Sequence, residues 1–154
     1  MGVTASPPRS PSPGISQERG KGGEEGKDLN QMKRTLLRSK IHRATVTGAD
    51  ADYEGSITID SALMKAAGLA EYELVHIADV TNGVRLETYV MTGPVGSGVI
   101  CMNGAAARVI GVGDKIIIMA YGQVEEPLPA DWKPEIILVD ENNKVREVRH
   151  AAVH

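Results

Sequence analysis

Apolar positions along the chain fall into short alternating runs separated by Gly, Pro, Asn and Asp, which is the patterning of a β protein. The run Lys40 to Thr47 is rich in β-branched residues and predicts a strand, with Lys40 and His42 on one face by the two-residue period. Gly48 to Gly55 reads as a polar connection, and Ser56 to Ile59 as a short second strand. Asp60 is placed to cap a helix over 61–67 that turns Leu63, Met64 and Ala67 inward and stops at Gly68. Leu74–Val80 and Arg85–Met91 predict a hairpin whose turn, Asn82-Gly83, suits the positive φ angles of type I′. Along its return strand Arg85, Glu87 and Tyr89 alternate with Leu86, Thr88 and Val90. Past the Gly93–Gly98 turn, Val99–Met102 predicts a strand. It leads into Asn103-Gly104-Ala105-Ala106-Ala107, small enough to coil into a short helix and to let a backbone or ligand come close. Lys115–Tyr121 is apolar on both faces, which predicts a central strand. Glu135–Val139 and Val145–Arg149 flank the polar Asp140–Asn143 and predict a last hairpin. About seven short strands with one or two short helices predict a mainly β fold, a small closed barrel.

Composition sharpens this picture. Residues 1–31 are rich in Gly, Pro and Ser and lack apolar periodicity, so they are expected to be a disordered extension. The domain is expected over 32–150, with 151–154 as a tail. Phe is absent and the aromatics are one Trp and four Tyr, so the core must rest on aliphatic side chains. A net charge of -3 makes no electrostatic case for nucleic acid or an anionic membrane. Cys101 is the single cysteine and cannot form an internal disulfide. It is expected to be a small buried hydrophobe in a reduced, cytoplasmic setting. No run approaches the ~18 apolar residues of a membrane span, and the N-terminus lacks the apolar stretch of a secretory signal.

The usual chemical signatures are missing. The four His are scattered without ligand spacing, which predicts no metal. No strand-to-helix glycine fingerprint or phosphate loop is present, and Glu54-Gly55-Ser56-Ile57 lacks the hydrolase elbow. Aromatic platforms for single-stranded nucleic acid are lacking too. Gly55-Ser56 offers chemistry on the chain itself, since a hydroxyl aimed at the preceding carbonyl can turn the peptide into an ester that eliminates. The same pair is also common in ordinary loops. The polar residues left to consider are Lys40, His42, Tyr53, Ser56, Arg85, Thr88, Tyr89 and Asn103.

Taken together, Lys40-Ile41-His42-Arg43, Tyr53-Glu54-Gly55-Ser56, Val80-Thr81-Asn82-Gly83, Arg85, Thr88-Tyr89 and Asn103-Gly104-Ala105-Ala106-Ala107 resemble the pyruvoyl-dependent aspartate decarboxylase family, from about Met32 to Arg149. The resemblance implies a double-ψ β-barrel, a homotetramer with sites between subunits, and self-cleavage between Gly55 and Ser56 assisted by Thr88. It divides the domain into a β chain, 32–55, and an α chain, 56–150, that begins with a covalent pyruvoyl group made from Ser56. The implied reaction converts L-aspartate to β-alanine and CO2 through a Schiff base, for pantothenate biosynthesis. In it Tyr89 corresponds to the proton donor. Arg85 and Lys40, with His42 beside it, are the expected carboxylate grips. Asn103 positions the prosthetic group, and Tyr53, Gly104, Ala105 and Ala106 line the pocket. Some family members carry an aromatic residue at the position of Ala78, whereas the only Trp here is Trp132. Two other readings stay open on sequence: a barrel that does not process itself, and a decarboxylase for a related amino acid such as glutamate.

Overall fold

β1 (Lys33–Thr45) is the longest strand and begins well before its predicted start. Its first residues are polar, so no apolar alternation announces them. They pair with the equally polar end of β7 (Lys115–Glu125) in a register running from Lys33 opposite Glu125 to Thr45 opposite Lys115. Cross-strand ion pairs, Lys33 with Glu125 and Arg34 with Glu126, hold this ribbon. The computed structural model describes residues 32–150; the expected disordered extension 1–31 and the tail 151–154 lie outside the described residues.

The remaining strands are β2 (Gly48–Asp50), β3 (Ser56–Asp60), β4 (Leu74–Asp79), β5 (Arg85–Gly93), β6 (Ile100–Asn103), β8 (Glu135–Val139) and β9 (Val145–Arg149). They form one mixed sheet in the order β2-β6-β3-β5-β4-β7-β1-β8-β9. Three pairings are parallel: β1 with β8, β2 with β6, and β3 with β5. β2 falls within the stretch expected to be a polar connection. Three residues of Gly-Ala-Asp carry no strand signal, and only the exposed edge of β6 recruits them. One core takes side chains from β1, β3 through β8 and the helix, led by Ile41, Ile57, Ile59, Ile77, Ile100, Ile116, Ile118 and Ile137. A sheet that sends side chains from so many strands into one core must curl on itself. Isoleucine does the packing that phenylalanine does elsewhere.

α1 (Ser61–Ala67) forms as the sequence predicts. Asp60 accepts the Ala62 N–H at 2.8 Å, and Gly68 closes the helix in the left-handed region at φ 64°. The Asp60 carboxylate also takes N–H bonds from Gly96 and Gly98, joining the helix start to the loop before β6. Burial acts to raise its pKa, but the three N–H donors outweigh it and hold the group below the usual carboxylate range. No helix among the described residues is long and apolar enough to cross a membrane.

Three expectations are corrected. The β4–β5 hairpin is present, but its turn is not type I′: only Gly83 has positive φ, at 79°. The Asp79 carboxylate accepts the Thr81 N–H, and Asn82 Oδ1 accepts the Val84 N–H, so side chains shape a longer connection over 80–84. β7 is central in hydrogen bonding, between β4 and β1, yet only its Ile116–Ile118–Ala120 face is buried; Ile117 and Met119 stay half-buried in the single chain. Cys101 is half-buried rather than a core residue, because it sits on the β6 face opposite Ile100 and Met102.

Asp79 supplies a prediction. It is 2% exposed, its Oδ1 accepts the Thr81 N–H at 2.8 Å, and its Oδ2 is buried without a hydrogen-bond partner. Burial, then the neighbouring Asp114 carboxyl, pushes its pKa above the ordinary 3.8. A folded-state pKa above the unfolded value contributes stability that is full at acid pH and lost as pH rises through the folded pKa. Asp79→Asn keeps the Oδ1 acceptor and removes the charge that burial penalises. It is expected to raise stability at pH 8 by about 1 kcal/mol and to leave it nearly unchanged at pH 4. Urea unfolding at the two pH values checks this; an equal change at both would show that the Asp79 pKa is not raised by folding.

Candidate active site around Ser56

Ser56 opens β3 directly opposite Asn103, the last residue of β6, and Asn103 is in turn flanked by Asp50 of β2. Both side chains are buried, Ser56 at 1% exposure and Asn103 at 5%. The two-residue period puts Thr58 on the same face as Ser56. Asn103 Nδ2 donates to both hydroxyls, to Ser56 Oγ at 2.9 Å and to Thr58 Oγ1 at 3.0 Å. Asn103 Oδ1 lies 3.4 Å from Cys101 Sγ, whose S–H donates to it. Because Ser56 Oγ is engaged as an acceptor, its own proton remains free to leave.

The backbone before Ser56 rests on Gly104. That glycine has φ 71°, and a Cβ there would lie 2.7 Å from Gly55 Cα, 2.9 Å from Gly55 N and 3.2 Å from the Tyr53 carbonyl oxygen. Only a residue without a side chain lets the two segments meet. Gly104 also starts a 3-10 helix, Gly104–Arg108, which follows the strand without a side-chain cap. Gly55, Thr88, Asn103, Ala105 and Ala106 share a cleft of about 320 Å³ with Leu86, Glu87 and Val109. A small carbonyl-bearing group at position 56 fits this setting. An amide donor is already in hydrogen-bond reach of the Ser56 side chain, and the facing residues are Gly and Ala. Among the described residues no group of three or more His, Cys, Asp or Glu side chains is placed to hold a metal ion.

The other predicted residues do not join this cluster within one chain. On β5, Thr88 faces the cleft, whereas Arg85 and Tyr89 alternate to the opposite, exposed face. Arg85 lines a separate recess with His76 and Ile77, and Tyr89 is 38% exposed. Tyr53 contributes its carbonyl beside Gly104 while its ring stays exposed. Lys40 and His42 lie on β1, separated from β3 in the sheet by β5, β4 and β7. His42 lines a wider cleft of about 540 Å³ with Arg43, Lys115, Asp140 and Arg146. Burial, then the charges of Lys40 and Arg43, lower its pKa below 6.5, so at neutral pH it is an uncharged imidazole. Arg85 and Tyr89 therefore do not reach Ser56 inside one chain, and the resemblance implies a site between subunits. Within one chain the Ser56 cluster and the Lys40–His42 stretch lie apart.

Thr58 and Cys101, which grip the Asn103 amide, escaped the sequence reading. The two-residue period from Ser56 signals Thr58, but Cys101 becomes visible only once the β3–β6 register is known. Trp132 is tied by its Nε1–H to the Leu37 carbonyl at 3.1 Å, and Ala78 pairs with Arg85 and Ile117.

Comparison with known proteins points the same way as the motifs. The family model described as aspartate decarboxylase matches residues 32–146. An aspartate 1-decarboxylase of Lactiplantibacillus plantarum is 58% identical over 116 residues, covering 75% of this chain and 89% of that protein. One from Clostridium beijerinckii is 54% identical over 114 residues, covering 74% and 92%. The solved structure of a rationally designed protein, mkDPBB_sym_86, overlaps 50% of this chain and 90% of its own at 19% identity and a TM-score of 0.39, too slight a likeness to bear on the fold. The family match spans the Ser56 cluster and both carboxylate-gripping candidates, and the chain belongs to the aspartate decarboxylase family.

Proposed function

We propose that the chain is a pyruvoyl-dependent aspartate 1-decarboxylase that makes β-alanine for pantothenate biosynthesis after cutting itself between Gly55 and Ser56. The observation that carries this reading is the buried Ser56 hydroxyl, held by Asn103 at the end of a backbone pressed against Gly104. Ser56 Oγ attacks the Gly55 carbonyl carbon and the C–N bond breaks. The nitrogen takes up the hydroxyl proton, so an ester and a free amine replace the peptide. Loss of the Ser56 Cα proton with rupture of the Cβ–Oγ bond frees the Gly55 carboxylate and leaves a double bond at residue 56. Water then replaces the nitrogen, which departs as ammonia, and a terminal ketone remains. Thr88, on the cleft beside Gly55, assists the first step, and Asn103 Nδ2 stabilises the charge that gathers on Oγ.

The pyruvoyl group supplies an electron sink for the charge left when the substrate loses CO2. The chain's own residues bind and orient. Arg85 takes one carboxylate of L-aspartate through two parallel hydrogen bonds, and Lys40 takes the other as a point charge. His42 serves as an uncharged hydrogen-bonding neighbour, in keeping with its lowered pKa. The Tyr89 hydroxyl gives a proton to the carbon that carried the lost carboxylate. Tyr53, Gly104, Ala105 and Ala106 shape the pocket wall. The Ser56 and Lys40–His42 halves lie apart in one chain, which supports a homotetramer of double-ψ barrels in which one subunit's grips face a neighbour's Ser56. The working unit is then 32–150, divided at Gly55–Ser56.

Denaturing mass spectrometry of the purified chain, followed by CO2 release from L-aspartate and from glutamate, tests this. Two fragments meeting at residues 55 and 56 and preferential turnover of aspartate are expected. An intact chain without turnover would overturn the enzyme, and faster release from glutamate would overturn the substrate. Tyr89→Phe is expected to process normally while kcat falls about 100-fold. Unchanged kcat would remove Tyr89 from the chemistry.

A further inference from the structure

An amide has chemically opposite ends, and whether Asn103 helps or hinders Ser56 depends on which end faces the hydroxyl. The two hydroxyls on that side cannot decide, because Ser56 Oγ and Thr58 Oγ1 can each donate or accept. On the other side stands Cys101 Sγ, 3.4 Å from Oδ1. A thiol donates to a carbonyl-type oxygen but is a poor acceptor for an N–H, so this contact selects one orientation. The place for the thiol is built into the fold. Cys101 pairs with Gly48 of β2, and a Cβ on Gly48 would come within 3.0 Å of Sγ. Gly48 has no positive φ to require glycine there; what it provides is room.

We propose that Cys101 is a positioning residue for self-cleavage: its S–H holds the Asn103 oxygen, so the amide N–H is aimed at Ser56 Oγ. Burial, then the nearby Asp50 carboxylate, pushes the thiol pKa up from 9.0, which keeps the proton in place. With the amide so fixed, the N–H is ready where charge gathers on Oγ as the Cβ–Oγ bond breaks. Cys101 acts through Asn103 and touches no reacting atom. The inference rests on the self-cleaving decarboxylase reading.

Cys101→Ala and Cys101→Ser separate packing from hydrogen bonding, since the two side chains differ by little more than a donor. Uncut full-length chain from cell-free synthesis is followed by intact mass over time. The Ala variant is expected to cleave about tenfold more slowly than the parent, and the Ser variant within about threefold of it. Equal rates in the Ala and Ser variants, in a parent that cleaves, overturn the positioning role alone. A parent that never cleaves overturns the decarboxylase reading and this inference together. Gly48→Ala is the second variant, needed where Cys101→Ala does not fold. It keeps the thiol but crowds it, and slower cleavage is expected; the parent rate there also overturns the role.

Discussion

Ser56→Ala is expected to leave the chain in one piece and to abolish CO2 release from L-aspartate. The methyl group lacks the oxygen that must attack Gly55, so neither the ester nor the terminal ketone can form, and the other hydroxyl held by Asn103 Nδ2, that of Thr58, sits two residues along the strand. The fold should survive. Ser56 Oγ makes one hydrogen bond, from Asn103 Nδ2, and that nitrogen keeps Thr58 Oγ1 as an acceptor. Loss of one hydrogen bond at a buried site costs about 1 kcal/mol, small beside the stability of a whole domain. Intact mass and CO2 release measured on the same preparation give the result. A Ser56→Ala chain that still divides at 55–56 would remove Ser56 as the nucleophile.

How much of this was legible beforehand differs between the framework and the site. Asp60 and Gly68 bracket α1 with a cap acceptor and a left-handed glycine, two local devices that the sequence states outright. The alternation on β5 was equally plain, because one residue per face is a property of the strand itself. The turn at 80–84 misled, since Asn-Gly suggests type I′ on its own, while here the Asp79 and Asn82 side chains decide the backbone. β2 and the first half of β1 were unreadable because their partners, β6 and the end of β7, define them. The site follows the same logic. Gly55, Ser56, Thr88, Asn103 and the alanines assemble locally around the β3–β6 pairing. Lys40, His42, Arg85 and Tyr89 are recognised as a set by motif, but no single-chain geometry brings them to Ser56. The proposed site between subunits would bring them there from another copy, and apolar side chains such as Ile117 and Met119, half-buried on β7, are available for such a contact.

Gly104→Ala is expected to damage the fold and self-cleavage together, and Gly55→Ala shows why. At Gly55 an added Cβ meets nothing within 4 Å and φ is not positive, so the uncut chain should accept alanine there with little loss of stability. At Gly104 the added Cβ lies 2.7 Å from Gly55 Cα and φ is 71°, so the variant suffers a disfavoured backbone conformation and a clash with main chain that no rotamer can relieve. The two effects together should cost about 2–4 kcal/mol. The relief available is for residues 53–55 to move away, and that shift changes the position of the Gly55 carbonyl relative to Ser56 Oγ. A displacement of about 1 Å at a reacting centre costs on the order of 100-fold in rate. Gly104→Ala should therefore lower the urea midpoint and slow self-cleavage together, with the slowing persisting well below the temperature at which the variant unfolds. Cleavage at the parent rate in a destabilised Gly104→Ala chain would show that the Gly104 contact supports the fold without setting the geometry of the scissile bond.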